Sequence, residues 1–152
     1  MSRRGRLRPA ARGKAAAAPE IESPYKSLGG PGRLLGALRY SMRGLAHALR
    51  VESAFRQELI GAAVLLPTAV ALGLPAIETV ALVGSVMLVL IVELVNSSIE
   101  AAVDRISFDH HRLSGRAKDL GSAAVFLALL TCGMTWFLVA GPGVVSRLAH
   151  IA

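Results

Sequence analysis

Cysteine and aromatic residues are scarce in this 152-residue chain, and its charged residues are few and unevenly distributed. Cys132 is the only cysteine, so a disulfide scaffold is excluded. Aromatic residues make up 5% and charged residues 18% of the chain, and 12 of the 17 Lys and Arg residues precede residue 57. Hydrophobic residues reach 53%, which excludes a disordered chain. Residues 59–77 carry no charge at all, and a soluble globule of this size could not bury several such runs. The sequence therefore predicts an integral membrane protein.

Three hydrophobic segments are each long enough to cross a bilayer once as a helix. They cover residues 59–77, 79–100 and 120–140. A spanning helix needs about 20 residues, so each segment suffices for one crossing. We see no internal repeat and no alternation of the kind that β-strands show. The predicted fold class is an all-α membrane protein with three transmembrane helices.

The segment before the first span has the pattern of an amphipathic helix. Within residues 33–57, leucines recur at helical spacing with arginines between them; the leucines are Leu34, Leu38, Leu45 and Leu49, and the arginines are Arg33, Arg39, Arg43 and Arg50. Such a helix typically lies in the membrane interface, where its arginines contact anionic lipid headgroups. Packing against the protein itself is the alternative. Residues 1–32, rich in Arg and Ala, predict a disordered basic tail, and residues 141–152 a short C-terminal tail.

The distribution of basic residues predicts the orientation in the membrane. The connection between the first two spans carries no basic residue, whereas the second connection carries four, namely Arg105, Arg112, Arg116 and Lys118. Basic loops stay on the cytoplasmic side, which places the N-terminus in the cytoplasm and the C-terminus outside. The sequence pI of about 10.8 is explained by this bias. Since no nucleic-acid recognition motif accompanies the charge, we expect no nucleic-acid partner.

A polar stripe interrupts the second hydrophobic segment. Glu93, Asn96, Glu100 and Asp104 are spaced i, i+3, i+7 and i+11, so at 100° per residue they share one helix face. Acidic side chains inside a span are costly and usually face a protein interior or mark function. A stripe that rises toward the cytoplasmic surface fits a site where a lipid meets a water-soluble reagent. A structural clasp between helices is the alternative; four aligned polar groups favour function.

Polar residues that flank the spans could complete such a site. Glu52 and Glu100 could hold Mg²⁺, which prefers oxygen ligands and commonly bridges carboxylates to substrate phosphates. Lys118 could meet a phosphate as a point charge. The plainer interpretations are a surface pair between Glu52 and Arg56 and a flanking lysine that reaches the interface. The sequence contains neither G-x-x-x-x-G-K-[ST] nor G-x-G-x-x-G, so a standard soluble nucleotide fold is not expected.

Three segments of the chain, in this order, closely resemble the prokaryotic diacylglycerol kinase family. They are ESAFRQE at residues 52–58, VELVNSSIEAAVDR at 92–105 and LSGRAKDLGSAA at 113–124. The likeness runs from about Arg33 to Leu138. It implies a homotrimer of three-span protomers in the bacterial inner membrane. It also implies transfer of the ATP γ-phosphate, with Mg²⁺, to the hydroxyl of 1,2-diacylglycerol to give phosphatidic acid.

The resemblance also assigns roles to individual residues. Glu93 matches the general base, Asn96 its neighbour in the active centre, and Glu52 and Glu100 the metal ligands that accompany ATP. The residues implied to contact the nucleotide are Tyr40, Ser41, Glu52, Glu100, His110, Arg112, Lys118 and Asp119. The residues implied to contact the lipid are Arg33, Ser41, Phe55, Arg56, Gln57, Glu58, Leu94 and Ser122. Without the resemblance, the adjacent pair His110-His111 is a poor metal site, because neighbouring side chains point apart.

The sequence departs from the family at two positions, and two other functions stay open. Gly36 stands where some members have a lysine, and Met42 where a tryptophan is common. An undecaprenol kinase would use the same scaffold and stripe, although residues 113–124 look more like the diacylglycerol branch. A non-enzymatic small membrane protein, with the stripe as a clasp or proton path, is the third possibility.

Overall fold

The described residues form four α-helices. The computed structural model describes residues 31–106 and 111–151, with the side chains of residues 32–106 and 111–142. The helices are α1 (Pro31–Val51), α2 (Ser53–Ala71), α3 (Ala76–Ile106) and α4 (Arg112–Ile151). The chain divides into two compact units, Met1–Ala37 and Leu38–Ala152. Only the opening of α1 is described in the first unit, and the packing below belongs to the second. Residues 1–30 of the predicted tail and the predicted nucleotide residue His110 lie outside the described residues, whereas residues 31 and 32, also predicted as tail, belong to α1.

Three of these helices are long and apolar enough to cross a membrane: Ser53–Ala71, Ala76–Ile106 and Arg112–Pro142. The prediction of an all-helical protein with three spans is thereby confirmed for the described residues. Helices α3 and α4 extend beyond the predicted segments: α3 runs six residues beyond Glu100, and α4 begins eight residues before Leu120. The polar stripe therefore lies on one continuous helix.

The amphipathic segment, predicted as one helix over residues 33–57, is divided at Glu52. The Glu52 backbone is extended, with φ −85° and ψ 112°. Its N–H still donates to the Ala48 carbonyl at 2.9 Å, which closes α1, and its carbonyl accepts from the Arg56 N–H at 3.3 Å, which opens α2. The Arg56 guanidinium donates to the Arg50 carbonyl at 3.2 Å, so it pairs one of the carbonyls that a helix end leaves free.

A short turn joins α2 to α3. Gly73 adopts φ 62°, a left-handed conformation that costs residues with a Cβ about 1–2 kcal/mol. The N–H groups of Leu72 and Gly73 donate to the carbonyls of Thr68 and Val70, at 3.0 and 3.2 Å. Pro75 directly precedes α3, and its fixed φ suits a helix start. The short turn allows α2 and α3 to pack against each other.

Helix α3 packs against both α2 and α4. Its buried residues repeat at helical spacing and define one face; they are Leu82, Ser85, Val86, Val89, Leu90, Glu93 and Asn96. Four alanines pack in the same clusters beside larger residues such as Phe55 and Trp136; they are Ala62 and Ala69 of α2 and Ala128 and Ala140 of α4. Small residues let membrane helices approach closely. The apolar packing face of α3 thus continues directly into the polar stripe.

Two predicted ends differ from the structure. The first span was predicted to reach residue 77, but α2 ends at Ala71 because Gly73 and Pro75 form the turn. The third span was predicted to end at residue 140, yet α4 continues through Pro142 to Ile151. A proline inside a helix removes its own N–H donor and disturbs the carbonyl four residues earlier. Here the helix tolerates that loss.

Candidate active site

The polar stripe of α3 runs from the buried interior to the surface. Glu93 is 4% exposed and Asn96 8% exposed, while Glu100 and Asp104 are half-buried. Glu93 and Asn96 are therefore covered by neighbouring helices of the same chain. The two residues nearer the helix end, Glu100 and Asp104, remain partly exposed. This gradient is what a site between an apolar and an aqueous phase requires.

Asn96 connects the stripe internally and to α4. Its side-chain Nδ2 donates to Glu100 Oε1 at 3.0 Å. Its Oδ1 is buried, accepts no hydrogen bond from the described residues, and lies against Gly121 of α4. The amide therefore holds one carboxylate while its other end contacts the neighbouring helix.

Other carboxylates contribute to the electrostatic environment of Glu93. Glu52, Glu58 and Glu100 each interact electrostatically with it. Glu52 comes from the junction of α1 and α2, and Glu58 from the second turn of α2. Glu58 Oε2 is buried and has no hydrogen-bond partner among the described residues. Glu52 and Glu58 thus add acidic side chains from α2 and from its junction with α1 to the electrostatic environment of Glu93.

A lysine closes the surface end of the stripe. Lys118 Nζ lies 2.6 Å from Asp104 Oδ1, and both side chains are about two-fifths exposed. This ion pair joins the end of α3 to the start of α4. Lys118 is therefore held beside the carboxylates of α3.

Two cavities border these groups, and a third lies at the start of α4. The first, between α2, α3 and α4, has a volume of about 500 Å³ and is apolar except near Gln57 and Glu58; its lining includes Leu65, Val89, Leu90 and Cys132. The second, between α1 and α3, also holds about 500 Å³ and is lined by Ser41, His47, Glu52, Leu94, Ser97 and Ser98, among others. The third, at the start of α4, holds about 650 Å³ and is lined by His111, Arg112, Leu113, Gly115, Arg116 and Asp119.

The structure brings several residues of the sequence prediction together. Gln57 and Glu58, both assigned to the lipid, line the first cavity. Ser41, Glu52 and Leu94 line the second, and Arg112 and Asp119 line the third. The first cavity therefore contains residues assigned to the lipid, the third contains residues assigned to the nucleotide, and the second contains residues assigned to each.

Other predicted residues have different surroundings. Phe55 is buried in the core with Ala62, Val89 and their neighbours. Tyr40 is exposed, and the Arg43 guanidinium lies over its ring, 5.9 Å from the centroid. Ser122 is exposed on α4, and Arg33 is exposed near the start of α1.

Sequence reasoning missed Gly121, His47, Ser97 and Ser98. The three polar residues line the second cavity. Ser97 borders the polar stripe and Ser98 follows it in the chain, whereas His47 belongs to no pattern that would select it. Gly121 does have a signal: it opens the run Gly-Ser-Ala-Ala in a hydrophobic segment. Small residues in a span mark close helix contact.

Comparison with known proteins identifies the family. The family model of prokaryotic diacylglycerol kinase matches residues 39–140. The chain is 52% identical over 109 residues to the diacylglycerol kinase of Escherichia coli K12, covering 70% of this chain and 88% of that protein. The diacylglycerol kinase of Haemophilus influenzae is 47% identical over 103 residues, covering 68% and 87%. That of Pseudomonas aeruginosa is 46% identical over 114 residues, covering 75% and 93%. This chain therefore belongs to the prokaryotic diacylglycerol kinase family.

Proposed function

We propose that the protein transfers the γ-phosphate of ATP to the free hydroxyl of 1,2-diacylglycerol, giving phosphatidic acid. The observation that carries the proposal is the stripe of α3. Its Glu93 is nearly inaccessible, its Glu100 and Asp104 are half-buried, and Asp104 pairs with Lys118 of α4. One end suits a lipid hydroxyl, and the other suits a nucleotide.

Glu93 acts as the general base in this proposal. Its carboxylate accepts the proton of the lipid hydroxyl as the hydroxyl oxygen attacks the γ-phosphorus. A new O–P bond forms, the bond between the γ-phosphorus and the bridging oxygen breaks, and ADP leaves with that bond's electron pair. Phosphoryl transfer demands mainly positioning and charge stabilisation from the protein. Asn96 positions Glu100 through the hydrogen bond from its Nδ2.

The carboxylates fit a magnesium ion that is shared with ATP. Among the described residues, no group of three or more His, Cys, Asp or Glu side chains could hold a metal ion. Mg²⁺ does not need such a cage, since it commonly uses one or two carboxylates together with waters and substrate phosphates. Glu52 and Glu100 would be those ligands. When bound, the ion would neutralise charge on the phosphates.

Charged residues near the surface serve the nucleotide. Lys118, held by Asp104, supplies a positive charge for a phosphate. Arg112 and Asp119 line the third cavity at the start of α4. The polar character of this cavity suits ATP rather than a lipid chain.

The first cavity supports a lipid acceptor. Its walls are apolar, and its polar residues Gln57 and Glu58 lie on the same helix turn. Glu58 also interacts with Glu93. A lipid whose chain occupies this cavity would thus have its polar end near the base.

We place the protein in the bacterial inner membrane with its N-terminus in the cytoplasm, as a homotrimer. The exposed leucine side chains of α1, including Leu38, Leu45 and Leu49, support a position in the membrane interface. Its exposed arginines would then contact anionic headgroups. ATP is available on the cytoplasmic side, where the basic second connection also belongs by the positive-inside rule.

The test is an assay of purified protein in detergent with MgATP. Diacylglycerol and undecaprenol are offered separately, and phosphorylated lipid is measured. We expect phosphatidic acid from diacylglycerol and little product from undecaprenol. The reverse preference would make the protein an undecaprenol kinase. Absence of both products would contradict the proposal.

A further inference from the structure

Gly121 is set apart from the other helical glycines by what a side chain would meet. Among the helical glycines in residues 32–106 and 111–141, Gly121 is the only one whose added Cβ would have any atom within 4 Å. That Cβ would overlap Asn96 Oδ1 and lie 3.2 Å from Asn96 Cγ. Gly121 is itself buried. The contact therefore depends on the missing side chain.

The atoms that crowd position 121 all belong to one side chain. The three nearest neighbours of the added Cβ are Oδ1, Cγ and Cβ of Asn96, with no backbone atom among them. A flexible side-chain end can move at less cost than two helices can separate. Rotation of the Asn96 amide is therefore the easiest response to a methyl group at position 121.

That rotation would break a bond within the stripe. In the present orientation Asn96 Oδ1 faces α4 and Nδ2 donates to Glu100 Oε1 at 3.0 Å. The amide is planar, so moving Oδ1 away from Gly121 also moves Nδ2 away from Glu100. Glu100 would lose the donor that orients it.

We infer that Gly121 is a positioning residue, whose lack of a side chain keeps Asn96 in the orientation that holds Glu100. This inference rests on the proposed function, because it gives Glu100 the role of a metal ligand. Gly121 touches no substrate and acts only through Asn96. Its effect should therefore appear as a changed Mg²⁺ requirement and a slower reaction.

The test compares Gly121→Ala with Gly133→Ala, a change on the same helix into open space. Purified proteins are assayed with diacylglycerol and ATP over a range of Mg²⁺ concentrations, and thermal unfolding is measured on the same samples. For Gly121→Ala we expect turnover to fall roughly 10- to 100-fold, since displacements near 1 Å can cost that much. The Mg²⁺ concentration for half-maximal rate should rise several-fold, with an unfolding midpoint close to that of Gly133→Ala. Kinetics matching those of Gly133→Ala would overturn the inference.

A second measurement reports on the contact without any turnover. Asn96 is the only asparagine in the chain, so protein labelled with ¹⁵N-asparagine gives one side-chain amide signal pair by NMR. We expect this pair to shift in Gly121→Ala and in Glu100→Ala, which removes the acceptor, and to stay in place in Gly133→Ala. An unmoved pair in Gly121→Ala would overturn the inference. If the wild-type protein phosphorylates no diacylglycerol while the two variants still show these shifts, only the proposed function is contradicted.

A folding defect in Gly121→Ala would be resolved by a double variant. Asn96→Ala with Gly121→Ala removes the colliding amide, so its stability should match that of Asn96→Ala alone. If the double variant is as unstable as Gly121→Ala, position 121 serves backbone packing rather than Asn96. That result would also overturn the inference.

Discussion

At the scale of single residues, the environment of Glu93 is unfavourable for a carboxylate whose role is only structural. It is almost completely buried, and its electrostatic neighbours Glu52, Glu58 and Glu100 carry the same kind of group. Burying an acidic group is unfavourable, and like neighbours add to the cost. In the proposed function, the bound cation and the lipid hydroxyl would offset this cost.

The first prediction concerns Glu93→Gln, which preserves the side-chain size but removes the carboxylate proposed as the general base. Loss of general-base catalysis typically lowers the rate about 10²–10⁴-fold. Stability should stay equal or rise, because a buried acidic group disappears. Turnover and thermal unfolding are measured on the same sample. Glu78→Gln, at the opposite end of α3, is the matched control and should retain normal turnover. A stable Glu93→Gln protein with near-normal turnover would refute the base assignment.

The second prediction concerns Glu52→Gln and Glu100→Gln. Each change removes a carboxylate that is proposed as a Mg²⁺ ligand, so the Mg²⁺ concentration needed for half-maximal rate should rise. The measurement is a Mg²⁺ titration of turnover at constant ATP, again beside Glu78→Gln. Lost activity with an unchanged titration would assign these residues to packing instead.

At the scale of helices, the turn between α2 and α3 depends on one backbone conformation. Gly73 lies at φ 62°, far from the polar stripe in sequence and at the other end of α3. Its contribution should therefore be to stability and not to chemistry.

The third prediction follows from this conformation. Gly73→Ala should lower the free energy of unfolding by about 1–2 kcal/mol, the cost of a Cβ in the left-handed region. Gly84→Ala, within α3 and facing open space, should instead raise it by about 0.5–1 kcal/mol. Denaturation of both variants in mixed micelles provides the comparison. Equal stability of the two variants would show that the turn relaxes around the alanine.

The sequence predicted the helices well and their junctions poorly, for physical reasons. Long apolar runs and the spacing of Glu93, Asn96 and Glu100 are local properties, so they are readable without a structure. The division at Glu52 has no glycine or proline to mark it. The contact of Gly121 depends on a side chain 25 residues earlier in the chain, which comes close only when α3 and α4 pack.

At the scale of the whole molecule, apolar side chains cover much of the outer surface. Phe126, Leu130 and Phe137 of α4 are among the exposed large hydrophobic residues. Surfaces of this kind contact lipid or other copies of the chain. The three spans and the proposed trimer both account for them.

The fourth prediction tests orientation in the membrane. The native cysteine is first removed by Cys132→Ser. Single cysteines are then introduced as Ala76→Cys at the start of α3 and as Gly115→Cys near the start of α4. Both positions are exposed. A membrane-impermeant maleimide added to spheroplasts should label Ala76→Cys directly and Gly115→Cys only after permeabilisation. The opposite pattern would invert the proposed topology.

Helix α3 uses the same face for its apolar packing residues and for its polar groups, so the angular positions of the two sets depend on each other. One residue inserted between Val89 and Glu93 would turn every later side chain by 100° relative to the buried positions before it. Glu93 would then point away from α2 and α4, even though no residue had been lost. The number of residues between the apolar and polar parts of this face is therefore as constrained as the identity of the residues. Insertions or deletions there should be far more damaging than conservative replacements of the apolar residues.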